Sequence, residues 1–257
     1  EAVRAYLSGM AFGTAGTTVV IEEGLTGPEV SVLAICDGHR AVALSPAQDF
    51  KRALDGDAGP NTGGMGAYTP LPFAGDDVVD AVMERAVGPT LAELRRRGID
   101  YRGVLYAGLM LTPTGMKVLE YNVRFGDPET QVVLPRLDSD LVELLGAAAA
   151  GSLGAEPRFS TDSLVTVVCA ADGYPVAPHT GDVISGIDDA RSVDGVSVYA
   201  AGVQVNDAGD LITAGGRVLN VVGRGDSIDD ARTRAYEGVS RISWSGMQYR
   251  SDIAAQT

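Results

Sequence analysis

The sequence predicts an α+β fold: an antiparallel sheet with flanking helices, followed by a smaller, mainly-β carboxy-terminal unit. Three observations predict it. Apolar runs come in adjacent pairs joined by short turns, as residues 29–36 and 40–44 about Asp37-Gly38, and residues 104–111 and 117–123 about Thr112-Pro113-Thr114-Gly115. Helical periodicity falls in separate blocks (residues 76–87, 89–97, 140–150 and 227–241) and does not alternate one for one with strands, as a doubly wound sheet would require. Residues 151–162 read as a linker, beyond which short strands and turn glycines dominate, so the chain divides into residues 1–155 and 156–257.

At 257 residues there is room for one large or two ordinary domains. A 45% hydrophobic and 21% charged composition is that of a soluble globular protein. The net charge of -14 argues against nucleic-acid or anionic-membrane binding, because no basic surplus exists to release counterions. Any phosphate ligand must then be met by a local basic cluster. Cys36 and Cys169 each end an apolar run, the setting of a buried free thiol, which fits a reducing compartment and no disulfide framework. His39 and His179 supply no metal-ligand spacing. No apolar run approaches the roughly 18 residues of a membrane span, and no signal peptide is visible, so a cytoplasmic location is expected. Of the 20 basic residues only Lys51 and Lys117 are lysines; at Lys51 this reads either as chance or as the need for a compact point charge rather than a fork.

In chain order, the sequence starts without Met inside a helical pattern, with Ala2, Val3, Tyr6 and Leu7 on one face, and so reads as beginning in the middle of a longer protein. A strand is expected over residues 17–22, a turn over 23–28, and then the first hairpin. Residues 45–72 show little periodicity, and so long a loop in a compact domain is usually functional. Within it, residues 61–66 (NTGGMG) read either as a plain tight turn or as closely spaced backbone N–H groups suited to an anion nest. They lack both the Gly-Lys-Ser/Thr of a Walker loop and the third glycine and leading strand of a dinucleotide fingerprint. Val78, Val79, Val82 and Ala86 line one side of the next helix, Pro89 starts another, and Arg95-Arg96-Arg97-Gly98 closes it with cations at the negative end of the dipole. After the central hairpin, Ser139 is expected to cap a helix that stops at Gly151. The second unit reads as strands over residues 164–170, 183–187, 196–205, 210–213 and 217–222, then a helix capped by Ser227.

The chemistry concentrates in residues 117–131, KVLEYNVRFGDPETQ. A strand alternates its side chains, so Leu119, Tyr121 and Val123 point one way and Glu120, Asn122 and Arg124 the other. Same-face neighbours lie about 6.5 to 7 Å apart, which lets Glu120 and Asn122 share a hard cation and leaves Arg124 to reach an anion beside it. A solvated strand would carry the same pattern. Two features favour a site: the preceding run VLYAGLML makes the pair a buried hairpin with Ala107 opposite Glu120, and Phe125-Gly126-Asp127-Pro128-Glu129 adds two carboxylates in a sharp turn.

Taken with VVIEEGLTGPEVSV, PAQDFKR, GPNTGGMGAY, GVLYAGLML, LPRLDSDLVELL and GGRVLNVVG, this stretch resembles the glycinamide ribonucleotide synthetases of the ATP-grasp superfamily over nearly the whole chain. The resemblance implies a partial ATP-grasp core and a ligase that forms a glycyl phosphate from ATP and glycine, which 5-phosphoribosylamine then attacks. It implies Mg²⁺ or Mn²⁺ on Glu120 and Asn122; phosphate or reacting groups at Arg124, Lys51 and Asp127; and ATP at Glu22, Glu23, Leu25 and Glu29. Substrates would meet Asp49, Asn61, Thr62, Gly63, Gly64 and Gly66. Many ATP-grasp enzymes carry a further metal carboxylate on the preceding strand, where Met110 stands here. The family's amino-terminal region has no counterpart in these residues and is the expected partner; the stretch alone is expected to be inactive. Another ATP-grasp carboxylate-amine ligase and a non-catalytic nucleotide-binding fragment are the alternative readings.

Overall fold

The computed structural model describes residues 2–9 and 13–255. Helix α1 (Ala2–Leu7) comes first, with Val3, Tyr6 and Leu7 exposed. Strands β1 (Glu29–Asp37) and β2 (Ala41–Ala43) form the first hairpin, followed by β3 (Gln48–Asp49), β4 (Arg52–Leu54), β5 (Ala58–Asn61) and β6 (Gly66–Thr69). Helices α2 (Asp76–Val82) and α3 (Gly88–Arg96) run on through a π-turn at Met83–Val87. The central hairpin is β7 (Arg102–Thr112) and β8 (Gly115–Asn122); α4 (Thr130–Val133) and α5 (Leu141–Ala150) complete the first half. Next come β9 (Ser163–Ala170), α6 (Ile187–Arg191), β10 (Val196–Ala200), β11 (Val203–Val205), β12 (Leu211–Thr213), β13 (Arg217–Gly225) and α7 (Ile228–Arg241).

The first sheet has the order β2-β1-β7-β8, antiparallel at every pair. Strand β1 is buried from Val30 to Asp37 because both its faces are covered, and so it reads as a continuous apolar run. Val30, Val32, Ala34 and Cys36 pack with Val82, Ala86, Val87 and Leu91 of the α2–α3 helix. On the opposite face, Leu33 and Ile35 meet Val104, Tyr106, Val132 and Val133. Each fully buried Val, Leu or Ile contributes about 1.5 to 3 kcal/mol.

The second sheet, β10-β13-β9-β6-β3, takes β3 and β6 from one side of the 155/156 division and three strands from the other. Ser31 and Ala47 exchange both backbone hydrogen bonds, at 2.8 and 3.0 Å, and this bridge carries the chain from the first sheet to the second. Asp49 and Lys51 are thereby delivered beside the first sheet's edge.

Four expectations need correction. Residues 17–22 form no strand: Val20 and Ile21 are 77% and 80% exposed, and β-branched residues make a strand only where a neighbour takes up their N–H and C=O groups. Residues 45–72 are not featureless but contain four short strands: β4 and β5 form a small hairpin, β3 pairs with β6 and β6 with the distant β9, while glycines and prolines hide the period of two. Residues 183–187 make only isolated bridges, from Val183 to Ile212 and from Ser185 to Ser243. The cap of α5 is Asp140, whose Oδ1 accepts from Glu143 N at 2.9 Å, while Ser139 Oγ accepts from Arg158 N. The Ser227 cap forms as expected, accepting from Asp230 N at 3.1 Å.

Both cysteines are buried and free, and burial pushes their thiols up to about 11 for Cys36 and about 12 for Cys169, which leaves them inert. Among the described residues no helix is long and apolar enough to cross a membrane.

The carboxy-terminal segment is tied to the β4–β5 hairpin by Arg250, which is 1% exposed and meets Asp57 Oδ1 at 2.8 Å, Asp252 Oδ1 at 2.7 Å and the face of Phe50 at 5.1 Å. Breaking a fully enclosed ion pair costs roughly 3 to 5 kcal/mol. Asp57 is largely exposed here, so Arg250→Met is expected to lower stability by about 2 kcal/mol. Urea unfolding checks this; an unchanged midpoint would show the pairs to be superficial.

Candidate active site

The site is set by one extra residue in β8. Pairing runs from Thr112↔Gly115 to Leu109↔Val118 and then shifts, so that Gly108, not the expected Ala107, faces Glu120, and Tyr106 faces Asn122. The bulge at Leu119 changes more than register. Ala107 lies on the face packed against the α2–α3 helix, and Glu120 paired with it would point into that core. The shift instead places Glu120 and Asn122 on the face carrying Ser31 and Tyr106, since Ser31 pairs with Gly108 and Leu33 with Tyr106. Bulges beside active sites re-aim side chains in this way. Gly108 also leaves room, since a Cβ there would lie 3.3 Å from Glu120 Cγ. The hairpin is buried only in its β7 half: β8 is an edge, with Tyr121 40% and Val123 73% exposed, so the expected apolar face is largely open.

Glu120, Asn122 and Arg124 are linked in sequence. Asn122 Nδ2 donates to Glu120 Oε1 at 3.3 Å, and Arg124 reaches Asn122 Oδ1 at 3.5 Å and Phe125 O at 2.9 Å. They line an open cleft of about 480 Å³ together with Lys51, Asp49 and Asp127. Among the described residues no group of three acidic, His or Cys side chains forms a closed metal cluster. The donor set, one carboxylate and one amide oxygen, fits Mg²⁺ or Mn²⁺ that takes its other ligands from water and phosphate.

Lys51 Nζ lies 2.6 Å from Glu29 Oε2. Burial alone would lower the lysine's pKa, but the charges of Asp49, Glu29 and Glu120 outweigh it and hold the ammonium above its usual range. Asp49 is pushed up to about 7 by burial and by the neighbouring charges of Glu129 and Glu29, against the pull of Lys51. Glu29 and Asn61 line an adjoining hollow of about 950 Å³, to which Asp49 and Lys51 also contribute.

The loop over residues 61–66 is not an anion nest. Its N–H groups are already used: Thr62 N donates to Lys51 O at 2.7 Å, Gly63 N to Tyr174 OH at 3.0 Å, Gly64 N to Thr62 Oγ1 at 3.0 Å and Met65 N to Phe50 O at 2.7 Å. Of this loop Thr62 and Gly63 line the cleft, whereas Gly64 and Gly66 are buried. Gly66 packs where a Cβ would meet Thr166 O at 2.6 Å. Gly64 has a φ of +110°, and a Cβ there would lie 2.4 Å from Pro128 Cδ. Gly64→Ala is therefore expected to cost at least about 2 kcal/mol from backbone strain and the clash combined, read as a lower thermal midpoint; an unchanged midpoint would mean the loop and the turn are not in contact.

Arg217, from β13, holds the loop against that turn. Its NH1 donates to Gly63 O at 2.6 Å and Asp127 O at 2.8 Å, and its NH2 to Asp127 Oδ2 at 3.1 Å. Gln131 Nε2 takes the other oxygen of Asp127 at 3.1 Å. Asp127 thus lies at the cleft with both oxygens engaged, an anchor for the turn.

Glu22, Glu23 and Leu25 are not brought to this cleft. They lie in a segment without regular secondary structure, residues 18–26, that makes no backbone hydrogen bond among the described residues. Sequence reasoning placed Glu129 at the site as a turn carboxylate without foreseeing its burial, and missed Tyr106, Ser31 and Arg217. A lone hydroxyl in the apolar run VLYAGLML was the available signal for Tyr106, since a buried phenol needs a partner. The run GGRVLNVVG carried part of the resemblance but gave Arg217 no role, because its partners lie 90 and 154 residues away.

Comparison with known proteins gives a consistent result. The family described as "Phosphoribosylglycinamide synthetase, ATP-grasp (A) domain" matches residues 1–130, and its "C domain" matches residues 164–256. A phosphoribosylamine-glycine ligase of Streptomyces coelicolor is 53% identical over 241 residues, and that of Leifsonia xyli 51% over 242, each match covering 93% of this chain. The chain spans 58% of the length of these curated relatives. The crystal structure of phosphoribosylamine-glycine ligase from Thermotoga maritima superposes with a TM-score of 0.85 at 37% identity, covering 96% of this chain and 62% of that one.

Proposed function

This chain belongs to the phosphoribosylglycinamide synthetase family, and on that premise we propose that the protein is an ATP-dependent carbon-nitrogen ligase joining glycine to 5-phosphoribosylamine. The observation that carries the reading is the bulge-set face of Glu120 and Asn122, which shares one cleft with Arg124 and Lys51. It combines a two-oxygen seat for a divalent cation with two cations for phosphate oxygens.

In this reading the glycine carboxylate attacks the γ-phosphorus of ATP to give glycyl phosphate and ADP. The amine then attacks the acyl carbon, phosphate leaves, and the amine nitrogen gives up a proton. Glu120 and Asn122 hold Mg²⁺ or Mn²⁺, which when bound neutralises phosphate charge. Arg124 and Lys51 meet the phosphate oxygens, with Glu29 keeping Lys51 oriented and standing near the ribose. Asp127 fixes the turn through Arg217, so that Thr62 and Gly63 keep their places beside the substrates. The backbone of residues 18–26, which makes no backbone hydrogen bond among the described residues, is left with Glu22, Glu23 and Leu25 to read the adenine edge. The protein's work is positioning and charge neutralisation, with little acid-base chemistry of its own.

An acyl phosphate survives only where water is excluded. The cleft of these residues is open, so we expect this stretch alone to give no product. ADP release by the intact protein tests the proposal: glycine with 5-phosphoribosylamine should support turnover, and bicarbonate or other acids should not. Equal turnover with bicarbonate would assign the site to a different carboxylate-amine ligase.

A further inference from the structure

Asp49 and Lys51 line the cleft, whereas their neighbours Gln48 and Phe50 line a further hollow of about 1060 Å³ between the tip of the β4–β5 hairpin, β6 and the carboxy-terminal turn. No residue that the ligase reading assigns to ATP, metal or substrates lines this hollow. Its rim is strained. Asp57 and Ala254, with φ of 52° and 54°, are the two non-glycine residues in the left-handed region among the described residues, and both line it. Such conformations persist only where the surroundings enforce them, and they cluster at functional sites. Here the enforcement comes from hydrogen bonds between the two turns. Ser251 N donates to Asp55 Oδ1 at 2.8 Å, Gly56 N donates to Asp252 Oδ2 at 2.7 Å, and Arg250 joins Asp57 to Asp252. Two turns 196 residues apart are thereby clasped into one preformed rim.

The walls are aromatic. Phe50 packs beside the buried Tyr68 at 6.2 Å with Arg250 over its face, and Phe73 presents a ring that is 39% exposed. Tyr68 OH donates to Gln48 Oε1 at 2.8 Å, which fixes the carboxamide and leaves Gln48 Nε2 without an acceptor among the described residues. Asp57 Oδ1 is taken by Arg250, while its Oδ2 receives no donor among the described residues. The hollow therefore offers a ring face, one fixed donor and one open acceptor. It does not suit an anion, because Asp57 and Asp252 outnumber Arg250 and already hold its guanidinium. We propose that this hollow binds an uncharged, amino-substituted heteroaromatic ring of the nucleobase class. The ring stacks on Phe73, accepts from Gln48 Nε2 through a ring nitrogen or carbonyl, and donates to Asp57 Oδ2 through its amino group. The inference goes beyond the ligase reading and does not depend on it.

The test is a calorimetric titration of the intact protein with adenosine, after saturation with a non-hydrolysable ATP analogue and Mg²⁺. One equivalent of adenosine is expected to bind in addition to the analogue, and AMP, which carries the same ring with a charged phosphate, at least fivefold more weakly. Phe73→Ala and Gln48→Glu should each weaken adenosine at least tenfold while leaving the ATP analogue within about threefold of wild type. Phe73 packs in neither apolar core, and Gln48→Glu keeps an acceptor for Tyr68 while removing the donor, so both changes spare the fold. Adenosine that no longer binds once the analogue is present would belong to the nucleotide site and overturn the proposal. Wild-type adenosine affinity in both variants, or AMP bound as tightly as adenosine, would overturn it equally. The comparison of adenosine with AMP needs no variant, so it stands even where a substitution disturbs folding.

Discussion

Glu120→Gln and Asn122→Leu in the intact protein are each expected to lower metal-dependent ATP turnover by on the order of a thousandfold, while the fold survives. Removing one well-placed group that stabilises developing charge typically costs roughly 3 to 4 kcal/mol of transition-state stabilisation, and here the metal seat has only two protein oxygens to lose. Stability should barely respond. Both residues sit on the edge strand β8 and bond chiefly to one another, at 3.3 Å, so substitution there should shift unfolding by no more than about 0.5 kcal/mol. Steady-state ADP release at saturating Mg²⁺, measured beside thermal unfolding, separates the two effects. Wild-type rates in both variants would remove the metal assignment, and a collapse in stability would mean the bulge serves packing instead.

Lys51 carries the second large effect. It stands 2.6 Å from Glu29 and is held charged by three surrounding carboxylates, so Lys51→Arg preserves the charge while replacing a compact ammonium by a wider planar fork. A displacement of about 1 Å at a reacting group costs on the order of a hundredfold in rate, and that is the loss expected in kcat/KM for ATP and glycine. Lys51→Met should lose more, because Asp49 and Glu29 are then left facing each other without a cation. Rates for Lys51→Met must be read well below its melting temperature, since the same repulsion lowers stability. Unchanged kcat/KM in both variants would make Lys51 a solvated loop residue and leave Arg124 as the phosphate partner.

What the sequence disclosed and what it hid follow from the range of the forces involved. Glu120 and Asn122 were legible as one face because strand alternation is local; Arg124 lies in the bend past the end of β8 and lines the same cleft. The direction of that face was not, because it depends on the bulge at Leu119, and a bulge is a property of a strand pair. The possible anion nest over residues 61–66 failed for a related reason: three of the acceptors that use up its N–H groups come from outside the loop, from Lys51, Phe50 and Tyr174, and the fourth is Thr62 within it. Residues 17–22 carry strand propensity without a strand partner. Glu129 was visible as a carboxylate in the turn, but its burial against Ser31 and Tyr106 is created by the register between β1 and β7. Arg217 could not be read at all, since it reaches from β13 to hold elements 90 and 154 residues away.

The central claim is that this cleft activates the carboxylate of glycine as an acyl phosphate. Positional isotope exchange in ATP, carried out on the intact protein without the amine substrate, tests it most directly. If glycyl phosphate and ADP form reversibly, oxygen label placed in the β,γ-bridge should scramble into the β-nonbridging positions when glycine is present. It should stay in place when glycine is omitted or Glu120 is replaced by Gln. Label that never scrambles with glycine while ATP is still consumed with another acid would contradict the account.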